Sequence, residues 1–213
     1  MGEIVLVRHG QANSNADNER DYDRLSELGH LQARWLGEWL GDLDGGFDRI
    51  LSGTLRRHVE TAQAMGVEAI RDPRLDEMDY FNLGHALSDV HGVPMPTADG
   101  FPEHLPQVMR AWHASEIQGD ESFAAFEARI VDVLTEAATE GRRTLCVTSA
   151  GVIAMAMRHV LDLDPRKLSM VLLPIRNTSI HRFHVRGDEM LLSGFNAVPH
   201  LERADRAYAL THY

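Results

Sequence analysis

The chain of 213 residues contains a single cysteine, Cys146. No intrachain disulfide can form, and no cysteine-based zinc site can assemble. Cys146 sits within an apolar run and reads as a core residue. Long hydrophobic runs are also missing. The longest, residues 145–157, is too short to cross a bilayer and is interrupted by Thr148, Ser149 and Gly151. Positive charge is in deficit, with 21 Lys and Arg against 32 Asp and Glu and a formal net charge of −11. Such a balance argues against nucleic-acid partners and against an anionic membrane face. Any anion site must then be a local basic pocket in an acidic protein. No basic leader precedes the first apolar run, and Leu6 stands where a myristoylation signal needs Ser or Thr. A cytoplasmic protein is expected. Internal repeats and low-complexity segments are absent as well, and no pattern speaks to oligomeric state.

What is present is ordinary in bulk: 44% hydrophobic and 25% charged residues, as in soluble globular domains. The length suits one large α/β domain over residues 1–213. The organising stretch is Ile4-Val5-Leu6-Val7-Arg8-His9-Gly10-Gln11. An apolar run that ends on a glycine reads as a strand buried on both faces. Such a strand delivers its last side chains to one edge of a sheet, where ligands bind in open α/β folds. A fixed cation, Arg8, and a nucleophile or base, His9, therefore stand side by side, and Gly10 permits a tight turn. The combination suits a phosphate, clamped by the guanidinium and attacked by the imidazole.

The rest of the chain supplies further βα units. Residues 13–24 read as a polar surface loop near that edge. A helix follows, capped by Ser26, with Leu28, Leu31, Trp35, Leu36, Trp39 and Leu40 as its core-facing stripe. Residues 47–52 read as a strand and 55–65 as a helix with Leu55, Val59, Ala62 and Met65 inward. Arg56 and Arg57 fall in its first turn, where the helix dipole disfavours cations. Either an anion lies nearby, or both are solvated beside Glu60. Residues 67–70 suggest a short strand. Of the carboxylates that follow (Asp72, Asp76, Glu77, Asp79), most are expected to be solvated, and one returned to the sheet edge can act as an acid. Residues 81–120, with four prolines and two short helical patterns, read as a lid-like excursion. Residues 121–139 form an amphipathic helix, 143–148 a second buried strand and 152–161 the next helix. Residues 178–185 and 190–195 form a hairpin. The tail to Tyr213 is a short helix or frayed.

These blocks together resemble the histidine phosphatase (phosphoglycerate mutase-like) superfamily. The resemblance rests on Arg8-His9-Gly10 with Asn15, on Ser52-Gly53-Thr54-Leu55-Arg56-Arg57-His58-Val59-Glu60-Thr61-Ala62, and on Leu75-Asp76-Glu77. Asn177-Thr178-Ser179 and residues 196–201 are also similar. The resemblance implies a three-layer α/β/α sandwich around a mostly parallel sheet. It also implies a metal-independent mechanism through a phosphohistidine. His9 would attack phosphorus. Arg8 and Arg57 would hold its oxygens. Glu77 would protonate the leaving oxygen and then activate water. Gly10, Asn15, Ser149 and Ala150 would contact the phosphate. No cofactor is implied.

One position departs from the pattern. The resemblance places a second histidine where this chain has Ser149, followed by Ala150 and Gly151. A hydroxyl donates a neutral hydrogen bond where an imidazolium donates a charged one, a loss of roughly 2–4 kcal/mol of transition-state stabilisation before compensation. The N–H groups of the following helix offset part of it. Ser149 also reads as that helix's N-cap, and the two roles are compatible. On this reading Ser149→His raises the rate. None of His58, His85, His91, His181, His184 and His200 is assigned as a stand-in, which leaves His9 as the only catalytic histidine. A phosphatase acting on a small phosphorylated substrate or a phosphoprotein is the expected function. Mutase-type phosphotransfer and a phosphate-binding regulatory module are the alternatives. Sugar phosphates, phosphoserine-like metabolites and protein phosphohistidine all remain open as substrates.

Overall fold

The computed structural model describes residues 2–13, 16–43 and 45–212. Strands β1 (Gly2–Arg8), β2 (Arg49–Ser52), β3 (Ile70–Arg71) and β4 (Arg143–Thr148) are joined by β5 (Ile180–Arg186) and β6 (Glu189–Ala197). The helices are α1 (Glu19–Tyr22), α2 (Glu27–Gly41), α3 (Arg56–Ala64), α4 (Tyr80–His91), α5 (Phe101–His113), α6 (Phe123–Ala137), α7 (Ala150–Leu161) and α8 (Pro165–Leu172). The six strands make one sheet in the order β3-β2-β4-β1-β5-β6. β3, β2, β4 and β1 are mutually parallel, and β5 and β6 are antiparallel additions at one side.

Strand β1 shows why the sheet has helices on both faces. Successive strand side chains point to opposite faces, and here both sets are apolar. Ile4 and Leu6 enter one core with residues of α4 through α8. Val5 and Val7 enter the other with Ala33, Leu36, Ala62 and Met65 of α2 and α3. The expected α/β sandwich is therefore observed, with β1 and β4 at its centre. The register pairs Arg8 with Thr148 and Ser52 with Val147. The carboxyl ends of β1, β2 and β4 thus finish on one edge.

Local differences from expectation have physical causes. The expected strand over 67–70 shrinks to Ile70–Arg71, both exposed, at the edge of the sheet. In α2 the buried line is Gly29, Gln32, Ala33 and Leu36. The tryptophans flank it, with the Arg206 guanidinium 4.3 Å above Trp35. Residues 81–120 contain two full helices, α4 and α5, whose Leu83, Leu87, Leu105, Val108 and Trp112 are core residues. Two of the four prolines do not interrupt helix: Pro102 lies in the first turn of α5, where its missing N–H costs nothing, and Pro106 lies inside it. The tail forms a 3-10 segment, Ala204–Ala209, and then returns to the sheet edge. There the Asn177 N–H donates to the Thr211 carbonyl at 2.9 Å. Among the described residues no helix is long and apolar enough to cross a membrane.

Candidate active site

The edge where β1, β2 and β4 end opens into a cavity of about 600 Å³ whose lining includes Arg8, His9, Glu19, Arg57, Glu77 and Ala150. Arg8 and His9 are fixed through their backbone. The His9 N–H donates to Thr148 O at 2.8 Å, and Thr178 N–H reaches the Arg8 carbonyl at 3.1 Å. Asn177 Nδ2 donates to the His9 carbonyl at 3.2 Å. Thr178 holds a left-handed backbone, φ 56°, which is costly for a β-branched residue. Its hydroxyl is held by the Asn177 carbonyl and by His200. Strain at this position is consistent with a segment whose task is to brace the edge.

His9 is a neutral imidazole with one ring nitrogen left to act. Its Nδ1 lies 2.7 Å from the Gly10 carbonyl. A carbonyl only accepts, so Nδ1 carries the proton and Nε2 keeps a free lone pair. Burial is the main cause that holds the imidazole well below the ordinary histidine range, with help from Arg57, Arg8 and His58. Gly10 serves a different purpose from the one expected. It has no positive φ; a Cβ there would collide with the Gly29 backbone of α2. It donates to Thr61 Oγ1 at 3.1 Å and is not part of the cavity lining.

The two arginines at the start of α3 divide between the two readings. Arg56 is exposed and pairs with Glu60 at 2.6 Å, as a solvated arginine would. Arg57 is 1% exposed and pairs with Glu19 at 2.5 Å and Asp23 at 3.0 Å. Asp23 also accepts the backbone N–H groups of Arg56 and Arg57. An anion does reverse the sign of this helix terminus, and it belongs to the protein. Residues 13–24 are thus more than a surface loop, because α1 carries Glu19 and Tyr22 into the cavity. Arg8 donates to the Ile175 and His212 carbonyls. The Nε atoms of both buried arginines have no partner, which leaves donors available for an anion.

The carboxylates of residues 72–79 are engaged, contrary to the expectation of solvation. Asp72 binds Arg74, and Asp79 caps α4. Asp76 accepts from the backbone and hydroxyl of Thr54. Glu77 accepts from the Gly151 N–H of α7 at 2.7 Å, and a Cβ on Gly151 would strike that carboxylate. Burial pushes the Glu77 carboxyl above its usual range, opposed by the Gly151 bond and by Arg57. A carboxyl whose affinity for its proton is raised suits a general acid.

Ser149 and Ala150 lie where β4 passes into α7. Ala150 lines the cavity; Ser149 is 1% exposed and does not. Ser149 occupies the N-cap position of α7, yet its hydroxyl makes no cap bond. It lies 2.6 Å from His58 Nε2. His58, which the sequence does not assign as a stand-in, is brought to this edge. Its ring is fully buried and 5.8 Å from that of His9. A histidine at position 149 would overlap it, which also removes the basis for a rate gain from Ser149→His alone. The legible signal was helical spacing: His58 shares one face with Thr61, Ala62 and Met65. His85 and His91 are exposed, and His181 and His200 are buried packing residues. Asn15 lies outside the described residues.

Comparison with known proteins agrees with the fold. The chain belongs to the histidine phosphatase superfamily, branch 1, whose model matches residues 4–198. It is 29% identical over 144 residues to a 2,3-bisphosphoglycerate-dependent phosphoglycerate mutase from Rhizobium etli, covering 63% of this chain and 66% of that one. It is 29% identical over 142 residues to phosphoserine phosphatase 1 from Hydrogenobacter thermophilus, covering 64% of each. The chain therefore spans under two thirds of the length of these relatives. A solved structure of a phosphoserine phosphatase mutant from Entamoeba histolytica with phosphoserine superposes with a TM-score of 0.70 at 20% identity. That match covers 94% of this chain and all of the other. The likeness shows the shared fold.

Proposed function

We propose that the protein is a metal-independent phosphatase that hydrolyses a phosphomonoester through a phosphohistidine on His9. The observation that carries this reading is the buried pair Arg8 and Arg57 around a neutral His9, with Glu77 at the start of α7. His9 Nε2 attacks phosphorus in line and the ester oxygen leaves. Arg8 and Arg57 neutralise the equatorial oxygens. Glu77 donates its proton to the leaving alcohol, then removes one from the water that attacks phosphohistidine. A reaction on this plan needs no charge beyond that of the arginines. The free thiol of Cys146, buried and pushed up to about 12, is compatible with a cytoplasmic setting.

The relatives include mutases, which favours phosphotransfer as a second reading. The cavity wall favours hydrolysis. Beyond Arg8 and Arg57 it contains no further arginine or lysine among the described residues. Phe81, Met95, Phe101 and Leu172 make it apolar, and Glu19 and Asp99 make it acidic. A doubly phosphorylated acid would need a second cationic site to hold its other charges. An uncharged, apolar or aromatic alcohol fits this wall better, and we assign α4, α5 and the segment between them as the cover that selects it.

The test is hydrolysis of para-nitrophenyl phosphate by wild type and His9→Ala, with phosphoserine and 3-phosphoglycerate as competitors. Turnover by wild type alone, with weak competition, is expected. Equal rates in both proteins would refute the histidine mechanism. Stimulation by a bisphosphorylated acid would favour the mutase. Tight phosphate binding without turnover would favour a binding module.

A further inference from the structure

Buried behind the cavity lining, beside His9, is one imidazole that the proposed reaction does not use. His58 Nε2 is 2.6 Å from Ser149 Oγ. Its Nδ1 has no hydrogen-bond partner and faces Asp76 Oδ1 at 3.6 Å. The place is built for this ring. Gly53 passes so close that a Cβ there would collide with both His58 Nδ1 and Asp76 Oδ1. Asp76 is aimed by the Thr54 N–H and hydroxyl and by the Leu55 N–H. Ser149 has been withdrawn from its helix: Ser26, Ser122 and Asp164 each cap their own first turn, whereas Ser149 bonds only the imidazole. The ring also lies beside His9.

We propose that His58, backed by Asp76 and acting through the Ser149 hydroxyl, is a positioning residue that supplies a second protonated imidazole to the phosphate position. This rests on the phosphatase reading above. In the empty site His58 is neutral, because burial pushes it down to about 4, with Arg57 adding to the effect and Asp76 opposing it. The remaining proton sits on Nδ1 toward Asp76, and Nε2 accepts from the Ser149 O–H. A doubly charged oxyanion on Arg8 and Arg57 adds negative charge next to the ring. One proton from solvent then enters at Nε2. The new Nε2–H donates to Ser149 Oγ, and the Ser149 O–H turns to the anion. The charged groups facing His58 are Arg57 on its own helix, Asp76 before Glu77 and Asp23 after α1, with His9 beside it from β1. Asp76 and Asp23 favour the charged ring; Arg57 opposes it.

Calorimetry of sulfate binding, in buffers of different ionisation enthalpy, counts the protons taken up with an oxyanion that does not itself titrate near neutral pH. Proton uptake is expected in wild type and in His9→Gln, and is lost in His58→Gln. Uptake that persists in His58→Gln, or that disappears only in His9→Gln, would overturn the proposal. With para-nitrophenyl phosphate, His58→Gln should lower kcat by roughly ten- to a hundredfold, less than loss of a direct oxyanion donor. Ser149→His alone should lose activity through overlap with His58. Adding His58→Ala makes room, and the double variant should recover at least about tenfold over His58→Ala alone. A folded double variant with no recovery would also overturn the proposal. If wild type neither binds sulfate nor hydrolyses the ester, the phosphatase reading fails. If it does both while His58→Gln keeps its proton uptake, only the role of His58 fails.

Discussion

Helices α6 and α7 both begin on a serine in extended backbone, and the two serines are used differently. Ser122 bends back to accept the Ala125 N–H at 3.2 Å, closing the first turn of α6 with its own side chain. Ser149 leaves that task undone, and Glu77 from a distant loop takes the Gly151 N–H instead. Helix α3 follows the second pattern: it begins on Leu55 without a side-chain cap, and Asp23 accepts its first N–H groups. Helices α3 and α7, which bring Arg57 and Ala150 to the cavity, are thus capped by carboxylates from elsewhere. Helices α2, α4, α6 and α8 are capped by their own Ser or Asp. A self-capped terminus is satisfied without a second segment of chain. A terminus capped from afar brings two parts of the chain together, and here both such junctions lie at the candidate site.

Four changes sharpen or break this contrast. The largest effect is expected from Glu77→Gln, whose amide oxygen still accepts the Gly151 N–H but holds no transferable proton. Its kcat should fall by about 100- to 10,000-fold with little loss of stability, as read by steady-state kinetics beside a urea melt. An equal loss of stability would mean that Glu77 is only a cap. Next is Asp23→Ala, which removes both the cap of α3 and one partner of buried Arg57. A cost of about 1–2 kcal/mol is expected in the same melt, together with a raised KM as Arg57 loses its support. Ser122→Ala should cost about 1 kcal/mol or less and leave kcat unchanged. Ser149→Ala should reduce kcat, and its cost of about 1–3 kcal/mol should come from stranding buried His58 Nε2 and not from a lost cap.

The pH behaviour belongs to the same contrast. His9 must be neutral to attack, and its affinity for protons is depressed, so activity fails only when the pH falls well below the ordinary histidine range. Glu77 must be protonated to release the alcohol, and its affinity is raised, so activity declines as the pH rises past that elevated value. An acidic optimum in kcat/KM is expected, and Glu77→Gln should flatten the basic limb. The buried histidines affect stability in one direction. His9, His58, His181 and His200 are all held below the ordinary histidine range, chiefly by burial. At these four groups the unfolded chain therefore binds protons more readily than the folded one. Their contribution is complete above the ordinary histidine range and is lost as the pH falls through it, so the urea midpoint should drop from neutral to mildly acidic pH.

Much of this was legible in the sequence. The strand ending in Arg8-His9 and the buried strand before Ser149 announced themselves as apolar runs that stop abruptly. Arg57 and Glu77 stood out through the order of their motifs. His58 has the spacing of the buried face of α3, with Ala62 and Met65, which a packing residue shows equally. The partner that holds it, Asp76, is 18 residues further along the chain, and no local pattern links the two. Helices α4 and α5 were blurred by prolines, since Pro102 starts a helix as readily as proline ends one. The return of the tail to the sheet edge, with the His212 carbonyl on Arg8, depends on tertiary packing that no periodicity encodes.

The most direct measurement is capture of the covalent intermediate. Wild type mixed with radiolabelled phosphoester and quenched within one turnover should carry acid-labile, base-stable phosphate on His9. With an aryl phosphate, whose phenolate leaves without an acid, Glu77→Gln should accumulate more of it, because water attack is slowed, and His9→Ala should carry none. Label on another residue, or turnover with no labelled protein at any quench time, would contradict the account.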